Sequence, residues 1–217
     1  MTEEERIFMG MLFASEEEEL IEKKLKAHRL SQEYNLLFEK DNEKRQHVLK
    51  ELLSKIGEGT FMLGPIHFHY GCHTKIGAHC FMNFNFTVQD DAIVTIGDYN
   101  NFGPNVTIVT PLHPMIAEER RGMLCSDGVK RFLCYAKPVT IGNDCWFGSN
   151  VVVCPGVTIG DNCVIGAGSV VTRDIPSDSF AAGVPARVIR TITEQDSIRN
   201  MFETCLLYTS PSPRDRG

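Results

Sequence analysis

Residues 139–172 read VTIGNDCWFGSNVVVCPGVTIGDNCVIGAGSVVT, and the spacing within this stretch decides the fold. An aliphatic or aromatic residue recurs at every sixth position, and a second row of small or β-branched residues lies two positions earlier. The first row is Ile141, Phe147, Val153, Ile159, Ile165 and Val171, and the second is Val139, Cys145, Val151, Val157, Cys163 and Ser169. A helix cannot satisfy a period of six, because 3.6 residues per turn would carry the apolar position around its axis. The spacing therefore predicts short strands, with a tight turn every six residues, wound around a narrow apolar interior.

The same spacing continues towards the N-terminus with two interruptions. The upstream positions in phase are Ile76, Met82, Val88, Ile96, Phe102 and Ile108. The step from Val88 to Ile96 is eight residues, which predicts an insertion of about two. The step from Ile108 to Ile141 is 33 residues, which is not a multiple of six, and the segment contains prolines and a charged run. We expect a long loop to leave the coils over about residues 109–138.

The N-terminal part has helical spacing, with apolar side chains three and four positions apart up to residue 56. Ser15 and Glu18 fit a capping box at the start of one helix, and Gly57 ends the last one. Three parts follow from these patterns: a helical cap at 1–57, a β domain at 58–192 that carries the long loop, and a C-terminal extension at 193–217. The last dozen residues are polar and rich in turn formers, and we interpret them as a non-native tail.

The composition is that of a globular protein. The 217 residues carry 22 basic and 28 acidic side chains, a formal charge of -6, which argues against nucleic acid or an anionic membrane surface as the main partner. The chain begins MTEEER, where a signal peptide would be basic, and no apolar run reaches the roughly 18 residues that span a bilayer. We expect a cytoplasmic location. The eight cysteines contain no Cys-x-x-Cys pair, and we expect them to be small buried residues rather than disulfides.

Two short motifs have side chains suited to chemistry. His113 lies between two prolines at the start of the predicted loop and suits a general base, since its unperturbed pKa lies near 6.5. The alternative for His113 is a loop histidine with a structural hydrogen bond. In the second motif, FMNFNF at residues 81–86, we expect Asn83 and Asn85 to share one face of a strand. An asparagine there can fix a hydroxyl or an acyl oxygen, and the alternative is an asparagine ladder along the turns.

Four motifs occur in one order along the chain: Asn83 in Asn-Phe-Asn, His113 before a proline, GNDCWFGS at 142–149 and AGVPARVIR at 182–190. Together they resemble the maltose and galactoside O-acetyltransferases, which are hexapeptide-repeat acyltransferases. The resemblance implies a left-handed parallel β-helix, a handedness that the spacing alone does not supply. It also implies a homotrimer with active sites between neighbouring subunits. The implied reaction moves acetyl from acetyl-CoA to a sugar hydroxyl by direct attack.

The resemblance implies a role for individual residues. His113 would take the proton of the acceptor hydroxyl, the backbone N–H of Ser149 would stabilise the oxyanion, and Asn83 would orient the acceptor. The coenzyme would be bound by Ser149, Ala167, Thr172 and Arg173 along the pantetheine and by Arg187 and Arg190 at the nucleotide end. Trp146, the only tryptophan, would flank the coenzyme or serve packing between subunits. No metal cofactor is implied.

The acceptor side departs from the family pattern. Ser15 stands where the family commonly has an aspartate, His69 where it has a small polar residue or an aspartate, and Phe81 where a tyrosine can occur. Asp91 matches an acceptor-side aspartate of the family, with a turn residue as the alternative. We therefore expect Ser15, His69, Asn83 and Asp91 to contact the acceptor, with maltose, glucose or a galactoside as the candidates.

Three other functions stay open from the residues alone. The same fold could acetylate a xenobiotic or another small hydroxyl compound. The histidines at 67, 69, 73 and 79 suggest a zinc enzyme similar to the γ-class carbonic anhydrases, but His113 is the only later histidine and a His-x-x-x-x-His pair is absent. A non-catalytic scaffold of hexapeptide repeats would have no need of His113 or Asn83.

Overall fold

Two- to four-residue parallel strands wind the chain into a three-sided coil in the computed structural model, which describes residues 1–199 and 201. Face 1 consists of Lys55–Ile56, Thr74–Ile76, Val94–Ile96, Val139–Ile141 and Thr158–Ile159. Face 2 consists of Phe61–Met62, Phe81–Met82, Asn101–Phe102, Trp146–Phe147, Val164–Ile165 and Ser179–Gly183, with Ala186–Thr191 antiparallel at its edge. Face 3 consists of Ile66–Phe68, Phe86–Gln89, Thr107–Val109, Val152–Val153 and Val170–Val171. The predicted parallel β-helix is confirmed.

The sixfold row of apolar residues fills the interior. Its members stack in register from coil to coil, and each is at most 2 % exposed: Ile76, Ile96, Ile141 and Ile159 on face 1, Met82, Phe102, Phe147 and Ile165 on face 2, and Val88, Ile108, Val153 and Val171 on face 3. The rings of Phe102 and Phe147 stack with centroids 4.6 Å apart. Burial of each such side chain contributes about 1.5–3 kcal/mol, so this row stabilises the whole length of the coil.

The coils differ in length, and the difference widens one corner. One coil takes 18 residues from Ile141 to Ile159 and 20 residues from Ile76 to Ile96. The two additional residues lie where the chain passes from face 3 to face 1, and the same eight-residue step occurs earlier, from Phe68 to Ile76. We name this edge the His113 corner; it comprises residues 69–73, 90–93, 110–113 and 172–173. The insertion that the sequence predicts after Val88 therefore enlarges a corner that carries candidate site residues.

Asp90 joins two coils at the His113 corner. Its carboxylate accepts hydrogen bonds from the N–H groups of Tyr70 at 2.8 Å and Gly71 at 3.2 Å, and from the hydroxyl of Thr74 at 2.8 Å. Asp90 is fully buried, and burial raises the pKa of its carboxyl. Because three donors satisfy the carboxylate, it serves here as a structural cross-link between coils.

The opposite edge of face 3 is formed by tight turns and is named the Asn83 corner; it comprises residues 83–85, 103–106, 148–151 and 166–169. Asn85, Asn105 and Asn150 have φ near +60° there, and their amides form a ladder with distances of 2.8 and 3.0 Å. The expectation that Asn83 and Asn85 share a strand face is wrong. The strand ends at Met82, because the left-handed residue at 85 turns the chain, and Phe84 is exposed rather than interior.

The predicted long loop has its own antiparallel structure. Leu133–Ala136 pairs with Pro111–Leu112 on one side and with Phe13–Ala14 on the other, so the N-terminal segment and the loop share a three-stranded sheet. The loop also contains a short helix, Ala117–Arg120, and a hairpin of Met123–Leu124 with Lys130–Arg131. Sequence spacing does not show the pairing with Phe13–Ala14, because these two strands are more than 100 residues apart.

The N-terminal part forms three helices, α1 (Glu3–Phe8), α2 (Glu18–Leu36) and α3 (Asn42–Leu52), of which α2 and α3 cover the first coil. The Tyr34 hydroxyl donates to the carbonyl of Met62 at 2.6 Å, and buried Arg45 donates to the same carbonyl at 2.9 Å. The helices thus satisfy backbone groups of the first coil that have no neighbouring strand. The Ser15–Glu18 capping box is wrong, because α2 begins after Glu17 and Ser15 follows the strand Phe13–Ala14 instead.

A short 3₁₀ helix, Glu194–Asp196, follows the last strand, and the suggested non-native tail at 206–217 lies outside the described residues. None of the described helices combines the length and the apolar character needed to cross a bilayer. Of the seven cysteines in the described residues, all free thiols, Cys80, Cys134, Cys145 and Cys163 are buried as expected. Cys72 is exposed, and Cys125 and Cys154 are half-buried.

Candidate active site

The His113 corner brings together four residues that the sequence assigns to the site. His69, Asp91 and His113 follow successive strands of face 3, so they lie on three consecutive coils. Ser15 reaches the same corner because its strand pairs with Leu133–Ala136 beside the His113 loop. Ser15 and His113 line one cleft of about 280 Å³, together with Arg120, Phe132, Leu133 and Cys134.

The loop that carries His113 is fixed on both sides. The Thr110 hydroxyl donates to the carbonyl of Gln89 at 2.9 Å and accepts from the N–H of Ala92 at 2.9 Å. The Arg120 guanidinium donates to the carbonyls of Pro114 at 2.8 Å and of Met115 at 2.9 Å. His113 itself is exposed at the mouth of the cleft. This arrangement holds an accessible imidazole in a defined place, as a general base requires.

Asp91 lies below the surface of the same corner. It is 3 % exposed, and its Oδ2 atom has no hydrogen-bond partner within the described residues. Burial, together with the adjacent charge of Asp90, raises the pKa of Asp91 to about 6. The hydroxyl of Tyr70 is likewise buried and without a partner in this part of the chain, and burial raises its pKa. The corner thus holds two unsatisfied polar groups, which is unusual in a folded protein and common at binding sites.

His69 is half-buried between α2 and the corner. Its ring lies 4.7 Å from that of Tyr70 and 6.0 Å from that of His28, measured between centroids. Burial, reinforced by Lys24 and His28, lowers the pKa of His69 to about 4. The imidazole is therefore neutral at physiological pH, and it can both donate and accept a hydrogen bond.

Sequence reasoning missed a buried ion pair at this corner. His73 is 2 % exposed, its Nδ1 donates to the carbonyls of Asp90 and Asp91 at 2.9 Å, and its Nε2 lies 2.9 Å from the Glu4 carboxylate of α1. Lys23 contacts the same carboxylate at 2.6 Å. Burial opposes the charge on His73, but Cys72 and Glu4 outweigh it and raise its pKa to about 9. The available signal was the Cys72-His73 dipeptide, which lies in the eight-residue step from Phe68 to Ile76.

The zinc alternative finds no support in this geometry. Within the part of the chain that the structure describes, ligand atoms of three His, Cys, Asp or Glu side chains come within 4.8 Å of one another only at Glu4, Cys72 and His73. Both nitrogens of His73 already have protein partners there, and Lys23 occupies the Glu4 carboxylate. His79 lies at another edge of the coil, stacked on Tyr99 at 4.9 Å between ring centroids.

The His73 ion pair predicts a pH-dependent stability. Because the pKa is about 9 in the folded chain and 6.5 in the unfolded one, the contribution is complete below pH 6.5 and is lost as the pH rises through 9. We expect the free energy of unfolding to fall by up to about 3 kcal/mol over this range. Thermal unfolding between pH 6 and 10 measures it: His73→Asn should flatten this decline, whereas His47→Asn, at an exposed histidine, should not. An identical decline in His73→Asn would show that the folded ring is neutral.

The Asn83 corner carries a second set of predicted residues. Ser149 and Ala167 lie on successive coils there, and the N–H of Ser149 finds no acceptor within the described residues. Gly103 keeps the space beside it open, since a Cβ at that position would lie 2.8 Å from the Ser149 nitrogen. The Asn83 side-chain oxygen accepts from the N–H of Phe84 at 2.8 Å. Its amide nitrogen has no partner in the same part of the chain, so it can donate outwards.

A single chain does not join the two corners. Asn83 precedes the strand Phe86–Gln89 of face 3 and Asp91 follows it, and this strand alone spans roughly 10 Å. The predicted coenzyme residues are divided in the same way, because Ser149 and Ala167 lie at the Asn83 corner whereas Thr172 and Arg173 follow face 3 at the His113 corner. The predicted site therefore exists as two separated halves within one chain.

The remaining predicted coenzyme residues lie on and beside face 2. Trp146 is 57 % exposed and points outwards between Asn101 and Val164 of the neighbouring strands. Arg190 is bound to Asp196 through both carboxylate oxygens, at 2.6 and 2.8 Å, and this contact raises the pKa of the arginine. Arg187 is exposed, and its guanidinium donates only to its neighbour, the carbonyl of Ala186, within the described residues.

Comparison with known proteins gives concordant matches. The family model described as the maltose acetyltransferase hexapeptide capping motif matches residues 7–57, and the hexapeptide repeat of succinyl-transferase matches residues 138–173. The galactoside O-acetyltransferase of Escherichia coli (strain K12) is 45 % identical over 192 residues, which cover 88 % of this chain and 90 % of that protein.

Solved structures of the same kind superpose over most of the chain. A galactoside acetyltransferase in complex with coenzyme A matches with a TM-score of 0.82 and 45 % identity, over 90 % of this chain and 94 % of that one. A maltose O-acetyltransferase from Clostridium difficile 630 matches with a TM-score of 0.76 and 34 % identity, over 89 % and 99 % of the two chains. The likeness includes both the N-terminal helices and the coils, and so both corners.

Proposed function

The chain belongs to the maltose and galactoside O-acetyltransferases of the hexapeptide-repeat class, and we propose from this that it transfers an acetyl group from acetyl-CoA to a sugar hydroxyl. The observation that carries the proposal is the placement of His113, an exposed imidazole in a braced loop at the corner that also holds the unsatisfied carboxyl group of Asp91. The likeness over most of the chain to proteins named galactoside and maltose O-acetyltransferases supports it.

In the proposed reaction, the acceptor hydroxyl attacks the thioester carbonyl carbon while His113 takes its proton. The carbonyl oxygen becomes an oxyanion, and the unpaired N–H of Ser149 is available to stabilise it. Collapse of this intermediate breaks the carbon–sulfur bond, and the proton held by His113 passes to the departing coenzyme A thiolate. Asn83 would orient the acceptor through its free amide nitrogen, and no covalent enzyme intermediate is needed.

We propose that the active unit is a homotrimer, in which the His113 corner of one subunit meets the Asn83 corner of the next. The outward side chains of the faces support this. Face 1 presents Lys55, Lys75, Thr95, Thr140 and Thr158, whereas face 2 presents Phe61, Phe81, Asn101, Trp146, Val164 and Phe180, and face 3 presents His67, Thr87, Thr107, Val152 and Val170. A cyclic trimer buries part of the surface of each subunit and leaves the rest in water, and an apolar face 2 beside a polar face 1 fits such an arrangement.

The coenzyme would then run between subunits. Ser149 and Ala167 of one chain and Thr172 and Arg173 of its neighbour would line the pantetheine, with Arg187 and Arg190 at the nucleotide phosphates. Arg190 would exchange its contact with Asp196 for a phosphate, which a guanidinium binds in the same bidentate way. The exposed ring of Trp146 suits either contact with the coenzyme or packing between subunits. A cytoplasmic location fits this co-substrate, which is an intracellular metabolite.

The acceptor side would comprise Ser15, His69, Asn83 and Asp91. The side chain of Ser15 is neutral where the family commonly has a carboxylate, and His69 is neutral as well. An uncharged acceptor such as maltose, glucose or a galactoside fits this set better than a cationic one. No structural observation favours a xenobiotic acceptor or a scaffold without activity over this reading.

The test is a coenzyme-release assay with acetyl-CoA and a panel of glucose, maltose, galactosides and non-sugar alcohols. We expect release above the acceptor-free background with at least one sugar, and none with a fully O-methylated sugar, which offers no hydroxyl. Release with non-sugar alcohols alone would overturn the sugar assignment. Background release throughout the panel would overturn the acetyltransferase itself.

A further inference from the structure

A groove lined by several polar side chains, with Phe68 and Val88 also in its lining, lies between α2 and face 3, separate from the cleft that holds His113. Its volume is about 470 Å³, within the range of small-molecule sites. On one side α2 contributes His28, Ser31 and Gln32, and on the other His67, His69 and Gln89 rise from face 3 and its corner. His69 lines the groove and also belongs to the expected acceptor side, so the groove adjoins that side at His69.

The lining has the chemistry of a neutral, many-hydroxyl ligand. Imidazoles, primary amides and two hydroxyls line the groove, and none of the described residues along it is acidic or carries an amine or guanidinium. The imidazole of His69 is uncharged, because burial lowers its pKa to about 4. Amides and neutral imidazoles donate and accept hydrogen bonds at once, as each hydroxyl of a sugar does. Such a lining offers little to a phosphate or to a cationic ligand.

Ser31 supplies an independent sign that the groove takes a ligand. The residue is 5 % exposed, and its hydroxyl has no hydrogen-bond partner within the described residues. A buried polar group left unsatisfied costs about 1–3 kcal/mol, so a site that tolerates one gains when a ligand supplies the partner. Asn35, on the same helix face, differs because its side chain already has partners. Its Oδ1 accepts from the N–H of Ile66 at 2.7 Å, and its Nδ2 donates to the carbonyl of Ile66 at 3.0 Å.

The groove lies within reach of the reacting hydroxyl. Gln89 at its edge is paired in register with Val109, and Thr110 donates its N–H to the Gln89 carbonyl at 3.0 Å, three residues before His113. The coil of His69 lies two strand spacings from the coil of Val109, roughly 10 Å. An acceptor ring at His113 and one or two further rings of a linear sugar cover this distance.

We infer that this groove is an extension of the acceptor site that binds the rings of an oligosaccharide next to the ring being acetylated. The inference rests on the proposed sugar acetyltransferase activity and narrows its substrates from sugars in general to acceptors of two or three rings. The hydroxyls of the additional rings bond to His67, Gln32 and Ser31, and the reacting ring stays at His113. The chain thereby selects acceptors by length as well as by the identity of the reacting ring.

A length series of acceptors tests this. We would measure kcat/KM for glucose, maltose and maltotriose, and for galactose and lactose, with the wild type, His67→Ala and Gln32→Ala, and with Lys75→Ala on face 1 as the matched control. Two or three additional hydrogen bonds predict about a tenfold preference for the longer acceptor in the wild type. Each groove variant should lower this preference severalfold and leave the monosaccharide value unchanged, and the control should keep the full preference.

The two proposals fail in different ways. Equal kcat/KM for one and several rings in the wild type, or an unchanged preference in both groove variants, would overturn the subsite while the acetyltransferase stands. A parallel loss for all acceptors in the groove variants would also overturn it, because the groove would then support the fold or a subunit contact. Absence of coenzyme release with every sugar would overturn the acetyltransferase, and the subsite with it.

Discussion

Replacing His113 with alanine is expected to lower kcat for acetyl transfer by two to four orders of magnitude. The expectation follows from the exposed position of His113 in a loop that Thr110 and Arg120 hold from both sides. A positioned general base accounts for a rate factor of this size in acetyl transfer to a hydroxyl. The Kd for coenzyme A should change less than twofold, since His113 is not among the residues proposed to bind the coenzyme. Steady-state kinetics and titration calorimetry on the same preparations measure the two quantities.

Two matched variants separate loss of the base from loss of the loop. Met115→Ala alters an exposed side chain two positions away and should retain the wild-type rate. The double variant Arg187→Ala, Arg190→Ala should show the reverse split, with weaker coenzyme binding and a kcat that recovers at saturating coenzyme. Acetyl transfer by His113→Ala at the wild-type rate would assign proton transfer to another group, and unchanged coenzyme affinity in the double variant would make those arginines ordinary surface charges.

The fold could be predicted from the sequence because its signal is strictly periodic. One apolar residue in six specifies one interior position per face, and the register pairs within an unbroken run of repeats, such as Ile141 with Ile159, follow from counting. The eight-residue step after Val88 even located the wider corner. Its internal arrangement did not follow, since the hydrogen bonds of Asp90 and the ion pair of His73 with Glu4 join residues whose spacing has no period.

The candidate site was predicted residue by residue but not in space. Resemblance supplied Asn83, Ser149 and His113 as members of one site, while the structure places them at two corners of a single chain. Ser15 reaches His113 only through the pairing of Phe13–Ala14 with Leu133–Ala136. No local pattern predicts this pairing, because the two strands are far apart in the sequence. Side chains that cannot meet within one chain must meet between chains if they act together, so the proposed mechanism needs a site shared between chains.

Mixing two inactive variants is therefore expected to restore activity. Asn83→Ala and His113→Ala homotrimers should each retain at most a few per cent of the wild-type rate, since one lacks the orienting amide and the other the base. In trimers refolded from an equal mixture, a site is intact when its His113 corner comes from an Asn83→Ala chain and its Asn83 corner from a His113→Ala chain. Each condition holds for half of the chains, so about a quarter of the wild-type activity should return.

A second mixture makes the result decisive. When the wild type is refolded with an equal amount of the double variant Asn83→Ala, His113→Ala, a shared site needs two adjacent wild-type chains and again yields about a quarter of full activity. If each site lay within one chain, this mixture would yield about half, and the mixture of single variants would yield nothing. The activities of the two mixtures thus separate a shared site from a site within one chain. Unproductive refolding lowers both activities by the same factor, so it does not change their ratio. This ratio stays near one only when the two corners of a site belong to different subunits.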